Sequence, residues 1–194
     1  MLEENLIISA VSIGTGGVAM GTILKNSEWE SRTEVKKGNV GESCVKKFLE
    51  EKGFVCYQPT TENAHAFDML AIKNKQTAII AEVKSKELLN NWKATGFPQR
   101  NFLEYKRFYE KYGIRIFIFF VDHKQGAIYG NWLMECLEKP FKAEGKTFPC
   151  VQETWNPPTR LYHFNSMRPI AKLTETQIQE LKALTQRSYA YRND

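Results

Sequence analysis

The stretch from Ala66 to Lys86, AFDMLAIKNKQTAIIAEVKSK, decides the fold of this chain. Residues 67–73 and 77–84 are rich in aliphatic and β-branched side chains, and the polar residues 74–76 between them are typical of a turn. The pattern therefore predicts a β-hairpin. Apolar side chains occupy both alternating faces of each predicted strand, which is typical of strands covered on two sides. We therefore expect the hairpin to lie at the centre of a sheet.

The length of the turn sets which charged side chains meet at the open end of the hairpin. A three-residue loop pairs Lys73 with Thr77. Counted back along an antiparallel ladder, the same register puts Asp68 opposite Glu82, and Lys84 then shares a sheet face with Glu82 because side chains alternate. A two-residue loop instead puts Asp68 on the opposite face, so the prediction depends on register.

Asp68 and Glu82 at cross-strand distance repel each other unless a positive charge lies between them. A divalent cation removes this repulsion, and carboxylate oxygens suit Mg²⁺, which commonly takes one or two of them. Lys84 is then placed to stabilise charge that develops on a phosphate. The alternative is a solvent-facing edge strand that carries Glu82 and Lys84 as an ordinary charge pair. The apolar character of both strand faces favours the metal site.

Asp68 followed by Glu82-Val83-Lys84 resembles the D…(D/E)-x-K signature of the PD-(D/E)XK nucleases, the superfamily with the restriction-endonuclease-like fold. The likeness is greatest to the Holliday-junction-resolvase-like and RecB-like branches. It implies an α/β fold with an αβββαβ core, in which helices flank a central mixed sheet. It also implies that Asp68 and Glu82 bind Mg²⁺ or Mn²⁺ and that Lys84 is catalytic. The implied activity is that of a metal-dependent deoxyribonuclease, an endonuclease acting on DNA, and a homodimer is compatible with it.

The segments around the hairpin predict the rest of this core. Apolar residues at helical spacing predict a helix over residues 39–52, and a short strand follows over 54–58. After the hairpin, a loop over 87–98 leads into a helix that ends at Tyr112. Residues 114–121, IRIFIFFV, predict a buried strand. The order helix, strand, strand, strand, helix, strand matches the core that the resemblance implies.

The remainder of the chain predicts an extension of the sheet and a closing helix. Strands are expected over residues 126–133 and 161–164. An amphipathic helix is expected over 174–187, with Thr174 and Gln177 as its capping box.

Glu42 lies on the apolar stripe of the first predicted helix, near the expected start of that helix. One explanation is the helix dipole, which favours a glutamate in the first turn. The other is an additional acid aimed at the metal site. The sequence GNVGE at 38–42 resembles the G-x-x-G-E helix start of several branches of the superfamily, and this resemblance implies that Glu42 joins the metal ligands and the catalytic residues.

Gln99 begins the second predicted helix, on the same side as Phe102. Resolvase-like and RecB-like members often place a glutamine here beside the metal. Gln99 with Tyr105 is similar to their Q…Y element, although the spacing departs from the usual short one. The resemblance implies a catalytic role for Gln99, and the alternative is a glutamine that caps the helix.

Residues 6–24, LIISAVSIGTGGVAMGTIL, form a charge-free stretch long enough to span a bilayer. Basic residues follow it, and the positive-inside rule then keeps the rest of the chain in the cytoplasm. The alternative is a buried or loosely docked helix in a soluble protein, favoured by its glycines and hydroxyl side chains. We therefore expect a cytoplasmic protein, with an anchor on the inner face of a membrane as one option. The predicted division is an N-terminal segment and linker over 1–37 and a nuclease-like domain over 38–194.

The composition is that of an ordinary globular protein of 194 residues, with 42% hydrophobic residues and a net charge of +5. This charge permits a nucleic-acid partner without requiring one. The four cysteines are widely spaced, so neither a zinc site nor a disulfide framework is indicated. Two classes of function remain: a Mg²⁺-dependent DNA nuclease, and a catalytically inactive member of the same fold that binds nucleic acid or a partner. The intact acids of the hairpin favour the enzyme, since they would repel the phosphates of a bound nucleic acid.

Overall fold

The computed structural model describes residues 32–59, 67–89, 93–135, 140–143 and 145–190. Within these residues the helices are α1 (Thr33–Glu51), α2 (Gln99–Tyr112) and α3 (Glu175–Ala190). The strands of the first half are β1 (Val55–Tyr57), β2 (Met69–Asn74), β3 (Thr77–Lys84), β4 (Ala94–Pro98) and β5 (Arg115–Asp122). The later strands are β6 (Ala127–Trp132), β7 (Phe141–Ala143), β8 (Lys146–Phe148), β9 (Val151–Gln152), β10 (Thr159–His163) and β11 (Arg168–Lys172).

A six-stranded mixed sheet with the strand order β1-β2-β3-β5-β6-β11 forms the centre of the molecule. Strands β3 and β5 run parallel, whereas the other neighbours are antiparallel. Helix α1 and Leu181 of α3 pack on one face of the sheet, and α2 packs on the other. The predicted α/β fold, with its αβββαβ core and its central mixed sheet flanked by helices, is confirmed.

The hairpin of β2 and β3 lies inside this sheet, with β1 and β5 on either side. Alternate residues of the hairpin belong to two separate hydrophobic clusters, so both of its faces are covered as predicted. Met69 pairs with Ala81 in the last pair of the ladder. The next position therefore puts Asp68 beside Glu82, which is the predicted register.

The turn of the hairpin reaches this register by a route that differs from the prediction. The loop is the two residues 75–76, and the Oδ1 atom of Asn74 accepts a hydrogen bond from the backbone N–H of Gln76 at 2.9 Å. A two-residue loop alone would shift the register by one residue. Lys73, however, is an extra residue in a β-bulge, where the pairing shifts. The bulge offsets the shorter loop, so Asp68 stays on the side of Glu82.

Helix α1 begins earlier than predicted, at Thr33, so residues 33–37 of the expected linker are helical. The GNVGE sequence therefore lies inside the helix and not at its start. A glycine in a helix interior costs about 1 kcal/mol relative to alanine, but Gly41 is needed for packing. A Cβ atom there would lie 1.9 Å from the Oγ atom of Ser85. The close approach of helix and strand explains this glycine.

Part of the segment predicted as a loop is a strand, because β4 pairs with β10 in a second sheet of order β4-β10-β9. Glycine and proline within residues 94–98 lower the strand propensity of this segment. Its partner lies far along the chain, so no local signal reveals the pairing. Strand β11 was also not predicted; it pairs with β6 at the edge of the central sheet.

The boundaries of the other elements agree with the sequence. Helix α2 ends at Tyr112, and the φ of 69° at the following Gly113 is the left-handed conformation typical of a residue that caps a helix. The capping box of α3 is confirmed, since the N–H of Thr174 bonds to Gln177 Oε1 at 2.8 Å and the N–H of Gln177 bonds to Thr174 Oγ1 at 3.3 Å. Residues 6–24 lie outside the described part of the chain. Among the residues that the structure describes, no helix is long and apolar enough to cross a membrane. The anchor and the domain boundary stay predictions.

Candidate active site

Asp68 lies at the end of the hairpin, where the ladder of β2 and β3 stops. Its Oδ2 atom accepts a hydrogen bond from the backbone N–H of Val83 at 2.6 Å. This bond ties the residue that precedes β2 to the neighbouring strand. The carboxylate of Asp68 therefore lies at the end of β3 that also carries Glu82 and Lys84.

Glu82 is almost completely buried, with 2% of its surface exposed. Its Oε1 atom accepts hydrogen bonds from the hydroxyl of Tyr105, at 2.5 Å, and from the ammonium of Lys84. Its Oε2 atom is also buried but has no hydrogen-bond partner among the described residues. Burial raises the pKa of Glu82 and Asp68 adds to this rise, while Lys84 and Tyr105 oppose it. One carboxylate oxygen is thus left without a partner in a buried position.

Tyr105 brings helix α2 into contact with the acids of the hairpin. Burial raises the pKa of the Tyr105 hydroxyl, and the nearby carboxylate of Glu82 raises it further. The hydroxyl therefore stays protonated and donates to Glu82 Oε1. The inward-facing spacing of α2 predicts burial of Tyr105, and the Q…Y resemblance pairs it with Gln99. Its bond to Glu82 joins two separate elements, and no local pattern in the sequence predicts that bond.

Glu42 approaches the same end of the hairpin from helix α1. It lies in the middle of the 19-residue helix and is partly buried. The helix dipole acts mainly on the first turn, so it does not explain a glutamate at this position. The side chain of Gln58, which directly follows strand β1, donates a hydrogen bond to Glu42 Oε2 at 3.3 Å. Sequence reasoning did not single out Gln58, because nothing local links it to α1.

The electrostatics of Glu42 place it within interaction range of the hairpin acids. Burial raises its pKa from 4.5 to about 7, and the charges of Asp68 and Glu82 contribute to the rise. The hydrogen bond from Gln58 and the charge of Lys84 lower it. Three carboxyl groups and one ammonium therefore influence one another at this end of the sheet.

Gln99 is the first residue of α2, and its backbone N–H bonds to the carbonyl oxygen of Pro158 at 2.8 Å. Its side-chain Oε1 atom is buried and has no hydrogen-bond partner among the described residues. A capping side chain would accept a hydrogen bond from an N–H group at the helix start, and this oxygen accepts none. Its role beside a metal stays a prediction.

The donor set at this end of the sheet suits a hard divalent cation, which prefers carboxylate oxygens. Within the described ranges, no three side chains of His, Cys, Asp or Glu lie close enough together to form a complete metal cage. Magnesium does not require one, because it usually takes one or two carboxylates and keeps several waters. The buried and unpartnered Oε2 of Glu82, beside Asp68, meets that requirement. Asp68 and Glu82 would be the ligands, and a place for Glu42 beside the metal stays a prediction.

Several solved structures resemble this chain. The chain is similar to a Holliday junction resolvase from the archaeal hyperthermophile Archaeoglobus fulgidus, with a TM-score of 0.48 and 14% sequence identity. The similarity covers 70% of this chain and 93% of the resolvase chain. No family model matches this chain, and no curated protein does. A likeness at this level carries no argument about function.

Replacing Glu42 with glutamine is expected to raise the melting temperature of the metal-free protein. The pKa of Glu42 is raised in the folded protein, to about 7 from 4.5. The folded state therefore binds more protons than the unfolded state between these values, and stability falls as the pH rises through them. The Tm of Glu42→Gln should exceed that of the wild type above pH 7 and equal it below about pH 4.5.

Thermal melts in EDTA across this pH range measure the effect. Because Glu42 is only partly buried, solvent screening limits the gain, and each kcal/mol corresponds to about 2–4 °C in a protein of this size. A matched control is Glu51→Gln, which makes the same change at the exposed end of the same helix. A Tm that is lowered at every pH would contradict the raised pKa of Glu42 and its interaction with the hairpin acids.

Proposed function

We propose that this protein is a Mg²⁺-dependent nuclease that hydrolyses DNA phosphodiester bonds. The observation that carries the proposal is the carboxylate of Glu82, which is 2% exposed and has one oxygen without a partner, beside Asp68 and Lys84. An ionised carboxylate in such a position costs several kcal/mol unless other charges compensate it. A divalent cation provides that compensation. The D…E-x-K resemblance of the sequence supports the same chemistry.

Each residue of the site has a definite task in this proposal. A cation held by Asp68 and Glu82 supplies charge neutralisation at the phosphate and makes a nearby water more acidic. The N–H of Val83 holds Asp68 in place, and Tyr105 holds the Glu82 carboxylate through Oε1. The Oε2 atom of Glu82 is then left to bind the cation. Lys84 stabilises the negative charge that grows on the phosphate in the transition state.

A catalytically inactive protein that binds nucleic acid or a partner is the second candidate, and one contact favours it. The ammonium of Lys84 bonds directly to Glu82 Oε1. This ion pair neutralises one of the buried acids without a cation. The ion pair does not explain why Asp68 and Glu42, whose pKa is raised, lie at the same end of the sheet.

Incubation of the purified full-length chain with DNA and Mg²⁺ separates the two candidates. Supercoiled plasmid, single-stranded DNA and branched DNA are the substrates, with Mn²⁺ as a second cation and EDTA as the control. We expect cleavage with either cation and none with EDTA, and nicking of the plasmid if the enzyme cuts internally. Binding of these DNAs without cleavage under both cations would contradict the nuclease and favour the inactive binding protein.

A further inference from the structure

A cleft of about 590 Å³ adjoins the candidate active site. The first turns of α1 form one wall, and the end of β3 with the segment that follows it forms another. Lys84 lines the cleft and also bonds to Glu82, so the cleft and the site share this residue. Anything bound near Lys84 can therefore extend into it.

Positive charge dominates the lining of the cleft. Lys37, Lys84, Lys86 and Lys124 line it, whereas Glu34 and Glu87 are the acids in its described walls. Burial lowers the pKa of Lys86, and the charges of Lys84 and Lys37 lower it further. The ammonium group of Lys86 is therefore close enough to those of Lys84 and Lys37 to be repelled by them. Such a cluster is stabilised by an anion that enters between its members.

Contacts with the rest of the fold hold these ammonium groups in place. Lys37 and Lys124 bond to the two carboxylate oxygens of Glu87, at 3.1 and 2.8 Å. Burial alone would raise the pKa of Glu87, but the bonds from the two lysines outweigh it and the pKa is lowered. Glu87 thus stays ionised between two cations. Lys86 bonds to the carbonyl oxygen of Gly96 at 3.1 Å.

Asp122 at the end of β5 fixes two walls of the cleft to each other. It is buried, with 1% of its surface exposed. One of its carboxylate oxygens accepts the N–H of Leu88 at 2.9 Å, and the other accepts the N–H groups of Lys124 and Gln125 at 2.8 and 3.1 Å. The segment after β3 and the turn after β5 are therefore locked together. The cleft is formed before any ligand binds.

We propose that this cleft binds the phosphate backbone of a single DNA strand, on one side of the phosphate that is cleaved. The choice of DNA as ligand rests on the proposed nuclease function. The volume lies in the range of small-ligand sites, about 300–1,000 Å³, which accommodates one or a few nucleotides. A cleft of about 590 Å³ is too small to enclose the paired nucleotides of a duplex. The substrate class is therefore DNA with a single-stranded end, flap or gap at the cleavage site.

Binding of the full-length protein in EDTA tests this proposal without cleavage. Fluorescence anisotropy compares a labelled single strand with its duplex between about 50 and 200 mM salt. Lys37→Gln and Lys86→Gln are the test variants, because glutamine keeps a hydrogen-bond donor and removes the charge. Lys47→Gln is the matched control, since Lys47 is an exposed lysine of the same helix α1 that does not line the cleft.

The two cleft variants are expected to bind the single strand several-fold more weakly than the control. For each of them, the negative slope of log K against log salt should become shallower by about 0.7, the value for one phosphate contact on a single strand. The duplex should bind more weakly than the single strand and respond little to either substitution. The proposal is overturned if both variants bind the single strand like Lys47→Gln, or if the duplex loses as much affinity as the single strand.

The same proteins distinguish a failure of the cleft from a failure of the nuclease. Lysine-dependent binding of the single strand without any cleavage in Mg²⁺ would support the cleft and contradict the nuclease. Cleavage in Mg²⁺ with unchanged affinity of both cleft variants would contradict the cleft alone. Melting curves of Lys37→Gln and Lys86→Gln show whether each is folded, and either folded variant is sufficient for the test.

Discussion

Replacing Asp68 with alanine is expected to lower Mg²⁺-dependent DNA cleavage by about a thousandfold, the upper end of the range for removal of one preorganised electrostatic group. Asp68 is one of the two acids proposed to hold the cation, and Glu82 cannot replace it because its Oε1 is already engaged by Tyr105 and Lys84. Affinity for DNA in EDTA should be unchanged or higher, since a charge that repels phosphate is removed. Plasmid nicking and anisotropy measure the two quantities.

The control for this experiment is Asp68→Asn, which separates charge from structure. An asparagine keeps an oxygen that accepts the N–H of Val83, the bond that fixes residue 68 at 2.6 Å in the native protein. The fold at the end of the hairpin should therefore be preserved, while the negative charge is lost. We expect Asp68→Asn to be as inactive as Asp68→Ala. Cleavage by Asp68→Asn at the wild-type rate would exclude Asp68 as a metal ligand.

The central hairpin could be predicted from the sequence because its determinants are local. Strands 67–73 and 77–84 carry apolar residues on both faces, and the structure covers both faces. The loop was predicted one residue too long, and the bulge at Lys73 was missed. These two errors cancel in the register that sets Asp68 beside Glu82. The alternation of apolar residues constrains the register more strongly than the turn does, because a shift by one residue would expose one face.

Features that depend on distant partners could not be predicted. Strand β4 contains Gly96, whose sequence context is that of a loop. A Cβ atom at this position would lie 2.1 Å from the carbonyl oxygen of Arg160, so the glycine is needed for pairing with β10. The early start of α1 is a similar case, because the helix packs along α3 at the other end of the sequence.

The candidate site also combines features that the local sequence predicts with features that depend on distant residues. The acids of one hairpin could be placed relative to each other by counting along two strands. The bonds of Tyr105 to Glu82 and of Gln58 to Glu42 join separate elements, and no spacing in the sequence encodes them. The lysine cleft also combines several segments. One partial signal exists, since Lys37 precedes Gly41 by one helical turn and so lies on the face of α1 that meets β3.

Replacing Lys84 with alanine is expected to lower kcat by about 100- to 1,000-fold, with KM nearly unchanged. The ammonium of Lys84 bonds to Glu82 Oε1, so it lies beside the proposed cation and the attacked phosphate. Its benefit there grows as negative charge develops, which makes it a transition-state interaction and not a ground-state one. Tyr105 still holds Glu82 in the variant, so calorimetry should detect Mg²⁺ binding.

Two further substitutions make the test of Lys84 specific. Lys84→Arg should not restore the rate, because a planar guanidinium does not reproduce a compact point charge in the space beside Glu82. Lys86→Gln, in the adjoining cleft, should instead raise KM, since its proposed contact is with a phosphate that does not react. If Lys84→Ala shows only a raised KM that recovers at low salt, Lys84 contacts the DNA backbone as Lys86 does. The buried pair of Lys84 and Glu82 would then be a binding element, and the inactive DNA-binding protein would become the better description.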